Sequence, residues 1–152
     1  MENSLADLRN LPRRDSETWE LAVISMDGMQ VHFDGALVTP SACLIAESRT
    51  GRGMAVEVAE LGMAEHEAAL AGIISLCLKK DCGYVPGAIA VRDPELAALI
   101  RGRLDGYGIA VHVSQSLAAL DELIGAFKRD VLPPPAPGWL DAPGMTLRRL
   151  EA

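Results

Sequence analysis

The stretch GAIAVRDPELAALIRGRLDGYGIAVHVSQSLAALDELIGAFKRD, residues 87–130, reads as strand, capped helix, strand, helix. Ala88-Ile89-Ala90-Val91 is an unbroken apolar run, the pattern of a strand covered on both faces. Asp93-Pro94-Glu95 follows with an N-cap carboxylate, a proline at the first helical position and an acid at the positive helix end. This helix turns Leu96, Leu99, Ile100 and Leu104 inward and ends near Gly106 or Gly108, either of which suits a left-handed C-terminal cap. Ile109-Ala110-Val111-His112-Val113 is the next strand. A third helix from about Ser116 buries Leu117, Leu120, Leu123, Ile124 and Phe127 and closes on Lys128-Arg129. Strand, crossover helix and strand imply a parallel pair joined right-handedly. The stretch contains no catalytic fingerprint.

Working back toward the N-terminus, the pattern changes to antiparallel signals. Residues 1–18 read as an arm: a short helix with Leu5, Leu8 and Leu11 behind Ser4, stopped by Pro12, then the polar connector Arg13-Arg14-Asp15-Ser16-Glu17. Trp19 to Met26 has strand character. Asp27-Gly28 and Asp34-Gly35 are hairpin turn pairs that flank Met29–Phe33, with Ala36-Leu37-Val38 beyond, so the segment reads as a small antiparallel meander. Ala42–Ala46 is apolar throughout and reads as an interior strand, and Met54, Val56 and Val58 alternate along its hairpin partner. The first long helix covers about Ala64–Lys80, with Leu70, Ile73, Ile74, Cys77 and Leu78 on one face. Gly83–Gly87, containing Pro86, reads as a loop. The expected fold is therefore α/β (α+β): a mixed sheet with an antiparallel N-terminal meander, a parallel C-terminal βαβα part and three helices. One domain spans 19–131, and 132–152 is a Pro-rich tail whose Pro133–Pro137 should be extended.

Composition narrows the function classes. At 152 residues the chain suits one domain with a real core. Hydrophobic residues make up 49 %, with 14 glycines beside them; this apolar excess suits a sheet covered on both faces or a buried subunit interface. The net charge of −7 and the absence of basic patches, Arg13-Arg14 and Arg148-Arg149 being too short, argue against nucleic acid as a partner. No run approaches a membrane span and no signal-peptide core is visible, so the expected compartment is the cytoplasm and no membrane partner is expected. Cys43, Cys77 and Cys82 lack the spacing of a redox or zinc pair and read as small apolar residues.

The order strand-strand-helix-strand-helix-strand-helix, from about Ser41 to Asp130, resembles a trimmed ribonuclease-H-like layout. The segment PGAIAVRDPELAALIRGRLDGYGIAVHVSQSLAALDELIGAF, residues 86–127, resembles a family of functionally uncharacterised bacterial α/β domains, through its Asp-Pro cap, Gly-Ile-x-Val strand and Leu-x-x-Leu-Asp helix. The first resemblance implies clustered carboxylates that hold two divalent metals for phosphodiester cleavage. The nearest positions are Glu47, Glu67, Asp93 and Asp121. Each also has an ordinary role: Asp93 as an N-cap, Glu67 and Asp121 as first-turn acids, Glu47 at a strand end. His32, His66 and His112 lie on a strand, a helix start and a strand, and a pair such as Cys43 with His32 or His112 has no flanking sequence of an activated nucleophile. Phosphate cradles are missing, because Thr50-Gly51-Arg52-Gly53 joins strands and Gly106-Tyr107-Gly108 ends a helix.

The residues therefore point to a non-catalytic cytoplasmic binding or assembly module with no cofactor or metal, self-associating through apolar surface or through the tail anchor Trp139-Leu140. The alternative is a metal-dependent hydrolase or nuclease using Glu47, Asp93 and Asp121.

Overall fold

The computed structural model describes residues 5–130. Its five-stranded sheet is built around β1, Arg13–Ser25. On one side β1 pairs antiparallel with β4, Ser41–Glu47, which pairs antiparallel with β5, Gly53–Val58. On the other side it pairs parallel with β6, Val85–Val91, which pairs parallel with β7, Ala110–Val113. The order across the sheet is β5-β4-β1-β6-β7. The mixed α/β architecture is as expected, with the antiparallel strands at the N-terminal side and the parallel ones following.

Three α-helices cover the sheet. Helices α1, Glu65–Cys77, and α2, Pro94–Leu104, share one face, where Leu70, Ile73 and Ile100 meet Trp19, Ile45 and Ile89. Among the described residues helix α3, Ala118–Asp130, lies alone on the opposite face, with Leu120 and Phe127 against Ala42, Leu44 and Ala90. A 3-10 helix, Leu5–Asn10, packs Leu8 into the α1–α2 side. No helix among the described residues is long and apolar enough to cross a membrane.

Four local expectations are corrected. The polar connector Arg13–Glu17 is strand, the first half of β1. Arg13 donates to the carbonyls of Tyr107 and Gly108 at 3.0 and 2.6 Å, and Val85 N–H donates to Pro12 O. Glu17 accepts from Trp19 Nε1 at 2.9 Å and from the Tyr84 hydroxyl, so charged residues are held in the sheet by partners far along the chain. Second, the N-terminal meander forms only in part: β2, Val31–Phe33, and β3, Ala36–Val38, pair antiparallel through the expected Asp34-Gly35 turn, at φ 53° and 82°, but as a two-stranded sheet separate from β1. Both edges of β1 are already occupied by β4 and β6, which leaves no place for β2. Third, Val85–Gly87 belongs to β6 rather than a loop. There Gly87 is required by a close approach, since a Cβ would run into the backbone of Asp15 beside the β1 bulge. Fourth, Leu99 is 47 % exposed, because Ala97 takes the inward place beside Leu96, Ile100 and Leu104. At 100° per residue that face points roughly a third of a turn away from Leu99.

Candidate functional site

The space between α1 and the edge strand β5 is a cavity of about 560 Å³. Its depth follows from one contact. A Cβ at Gly72 would sit 2.6 Å from Cys43 Sγ, so α1 approaches β4 as closely as its backbone allows and leaves a recess beside that contact. The floor is apolar, with Leu70, Ala71 and Ile74 from α1, while Glu57, Glu60 and Glu67 bring carboxylates to the walls. Glu57 accepts from Ser75 Oγ at 3.0 Å. Glu67 pairs with Arg103 Nη1 at 2.9 Å and lies 3.3 Å from His66 Nε2. Burial, and then the neighbouring Glu57 charge, pushes the Cys43 thiol up to about 12, so it stays protonated and unreactive.

A second cavity of about 430 Å³ continues from the first through Ala59, Glu60, Met63 and Ala68. The β2–β3 hairpin forms its outer wall. Phe33 reaches Gly62, where φ is +84° and a Cβ would meet the ring at 3.1 Å. Val31, Phe33 and Leu37 of this hairpin are exposed.

The four acids singled out in the sequence do not form one site. Glu47 is buried inside the β4–β5 turn, accepting from Thr50 N–H at 2.9 Å, Thr50 Oγ1 at 2.6 Å and Arg49 N–H at 3.1 Å. Burial works to raise its pKa, but the Thr50 and Arg49 hydrogen bonds and the Arg49 charge outweigh it and leave it below 4.5. Glu67 belongs to the α1–α2 ion pair. Asp93 caps α2, accepting from Glu95 N–H at 3.0 Å, as its sequence position implies. Asp121 pairs with Arg92 Nη2 at 2.8 Å, tying α3 to the end of β6. Among the described residues no three His, Cys, Asp or Glu side chains are gathered closely enough to hold a metal ion.

The thiol and imidazole candidates stay apart as well. Cys43 packs on the α1 side of the sheet, whereas His112 pairs with Ala90, which belongs to the α3-side core, and is exposed. His32 is exposed on the hairpin. Cys77 is buried and its thiol is pushed up to about 12, burial being the main cause; Cys82 is half-buried and also raised by burial. Trp139, Leu140 and the rest of the tail lie outside the described residues.

Sequence reasoning missed Glu20. It is 4 % exposed in the middle of β1 and accepts from Ser48 Oγ at 2.8 Å and from Leu120 N–H, in the first turn of α3, at 2.8 Å. In the sequence it is a lone acid in an apolar run, indistinguishable from a solvent-facing strand residue. The partner that explains it lies a hundred positions downstream.

Comparison with curated proteins finds no match. The family described as a domain of unknown function (DUF6930) matches residues 4–128, covering every described strand and nearly all of α3, and the chain belongs to that family.

Proposed function

We propose that the chain is a non-catalytic cytoplasmic binding or assembly module that self-associates through the outer edge of β5. The observation that carries this reading is the edge itself. β5 is an outermost strand of the sheet, and Val56 and Val58 along it are 46 % and 58 % exposed. Edge strands of monomers are ordinarily protected by charge, proline or a covering element. Here the one charge between the two valines, Glu57, is turned to Ser75. A second copy pairing antiparallel along β5 would join two five-stranded sheets and cover those valines. The acids support a binding role over chemistry, because Glu20, Glu47, Asp93 and Asp121 are each engaged by hydrogen bonds or an ion pair within the fold.

The alternative is a metal-dependent hydrolase or nuclease of ribonuclease-H-like type. The strand order favours it, since the first strand is central, antiparallel strands lie on one side and parallel ones on the other. It also requires carboxylates to be freed from the contacts just described.

Light scattering after gel filtration at micromolar concentration tests the proposal. The wild-type chain is expected at twice its monomer mass, and Val56→Lys with Val58→Lys is expected to run as a monomer with an unchanged melting temperature. A wild-type monomer across that range overturns self-association. Metal-dependent cleavage of nucleic acid that is lost in Asp121→Asn would establish the alternative instead.

A further inference from the structure

We infer that the cavity between α1 and β5 is the seat of a segment of this same chain outside the described residues, Met145-Thr146-Leu147-Arg148-Arg149-Leu150. The inference rests on reading the domain as a binding module, but on neither the β5 edge nor a second copy.

Charge complementarity is the first support. Among the described residues four acids line the two joined cavities, Glu57, Glu60, Glu65 and Glu67, against one Lys or Arg, Arg103, which Glu67 already engages. Among the described residues Glu57 and Glu60 have no cation within ion-pair distance. Carboxylates beside an apolar floor favour an occupant with apolar side chains flanking basic ones, because guanidinium groups bind carboxylates through several donors at once. The sequence Met145-Thr146-Leu147-Arg148-Arg149-Leu150 has that composition. It holds the only adjacent arginine pair besides Arg13-Arg14, and Arg13 is already bonded to Asp15, Tyr107 and Gly108.

Position and length are the second support. Phe127, in the last turn of α3, packs in one cluster with Met26 and Ala42, and Ala42 pairs with Val58 at the end of β5. The described chain therefore stops near the end of the sheet where the cavities open. Residues 131–146 can span up to about 50 Å when extended, several times the distance from the centre of a domain this size to its surface. That is enough to pass round this end of the sheet from the α3 face to the α1 face.

The test uses the full chain with Arg148→Lys and Arg149→Lys, which keep the charge and supply amines for zero-length carbodiimide coupling to carboxylates. Mass spectrometry of the digested monomer is expected to find the new lysines joined chiefly to Glu57, Glu60 and Glu67. Adding Glu57→Gln and Glu60→Gln is expected to remove most of those links while leaving the melting temperature unchanged. Links scattered over the surface acids, or no links, overturn the proposal. Coupling an equal mixture of light and heavy-isotope protein identifies whose tail is bound, and light–heavy links as the main product overturn binding within one chain. A monomer by light scattering that still gives the expected links refutes self-association and leaves this proposal standing.

Discussion

The Glu20 carboxylate accepts a 2.8 Å hydrogen bond from the backbone N–H of Leu120, so the middle of β1 caps the first turn of α3. Helix α3 is the one helix on its face of the sheet among the described residues, and this bond helps fix where it begins. The first N–H groups of a helix have no partner within the helix, and a negative charge beside them is favoured by the helix dipole. Glu20→Ala strands this N–H in buried surroundings, at about 1–3 kcal/mol for an unsatisfied group, whereas the exposed Ser48 hydroxyl can turn to water. Urea unfolding is expected to show that loss, with Glu20→Gln intermediate. Equal stability of wild type and Glu20→Ala would show that α3 is positioned by its apolar contacts alone.

Gly72 and Cys43 make a second coupled pair. Gly72→Ala forces a methyl group to 2.6 Å from a buried sulfur, so one of the two must shift, and overpacking of that kind costs about 1–3 kcal/mol. Cys43→Ala removes the sulfur, so the double variant is expected to be more stable than Gly72→Ala alone. A double-mutant cycle from thermal or urea unfolding measures the coupling. Simple additivity would mean that the helix shifts away instead.

In α2 the contrast between neighbours is the test. Ile100 is fully buried and Leu99 is 47 % exposed. Ile100→Ala is expected to cost about 2–5 kcal/mol, whereas Leu99→Ala stays within about 1 kcal/mol. Similar losses for both would place the inner face of α2 differently.

Alkaline pH should unfold this protein through groups that burial keeps protonated. The Cys43, Cys77 and Tyr84 pKa values are all raised to about 12, from 9.0 for the thiols and 10.0 for the phenol. In each case the unfolded chain loses its proton first, so the stabilising contribution is complete below pH 9 and declines as the pH rises toward 12. Glu47 acts in the opposite sense: its lowered pKa contributes stability above 4.5 that disappears as the pH falls. Melting temperatures from pH 3 to 12 are expected to fall at both ends. Cys43→Ala together with Cys77→Ala should flatten the alkaline limb, and an unchanged limb in that variant would assign it to other groups.

What could be read in advance was what is local. The Asp93 cap, the Gly106 and Gly108 endings and the apolar run Ala42–Ala46 depend on neighbours within a few residues, and all are present in the fold. What could not be read was decided at long range. Arg13–Glu17 becomes strand through Tyr84, Val85 and Tyr107, and Pro86, ordinarily a strand breaker, lies in β6 opposite Arg14. The candidate site shows the same division. Its carboxylates are visible in the sequence, but the recess depends on how closely Gly72 approaches Cys43, which no local pattern encodes.

The central place of β1 also governs how the chain can be made. A ribosome releases Arg13–Ser25 well before either flanking strand, since Trp19 pairs with Glu47 on one side and Ile89 on the other. Until Val91 has emerged, the nascent sheet lacks β6 and β7, and the parallel edge of β1 stays open. Pairings so far apart in sequence close slowly, and open edges of this kind invite association with other chains. The interval between synthesis of residues 47 and 91 is therefore when this protein is most exposed to aggregation and most in need of a chaperone.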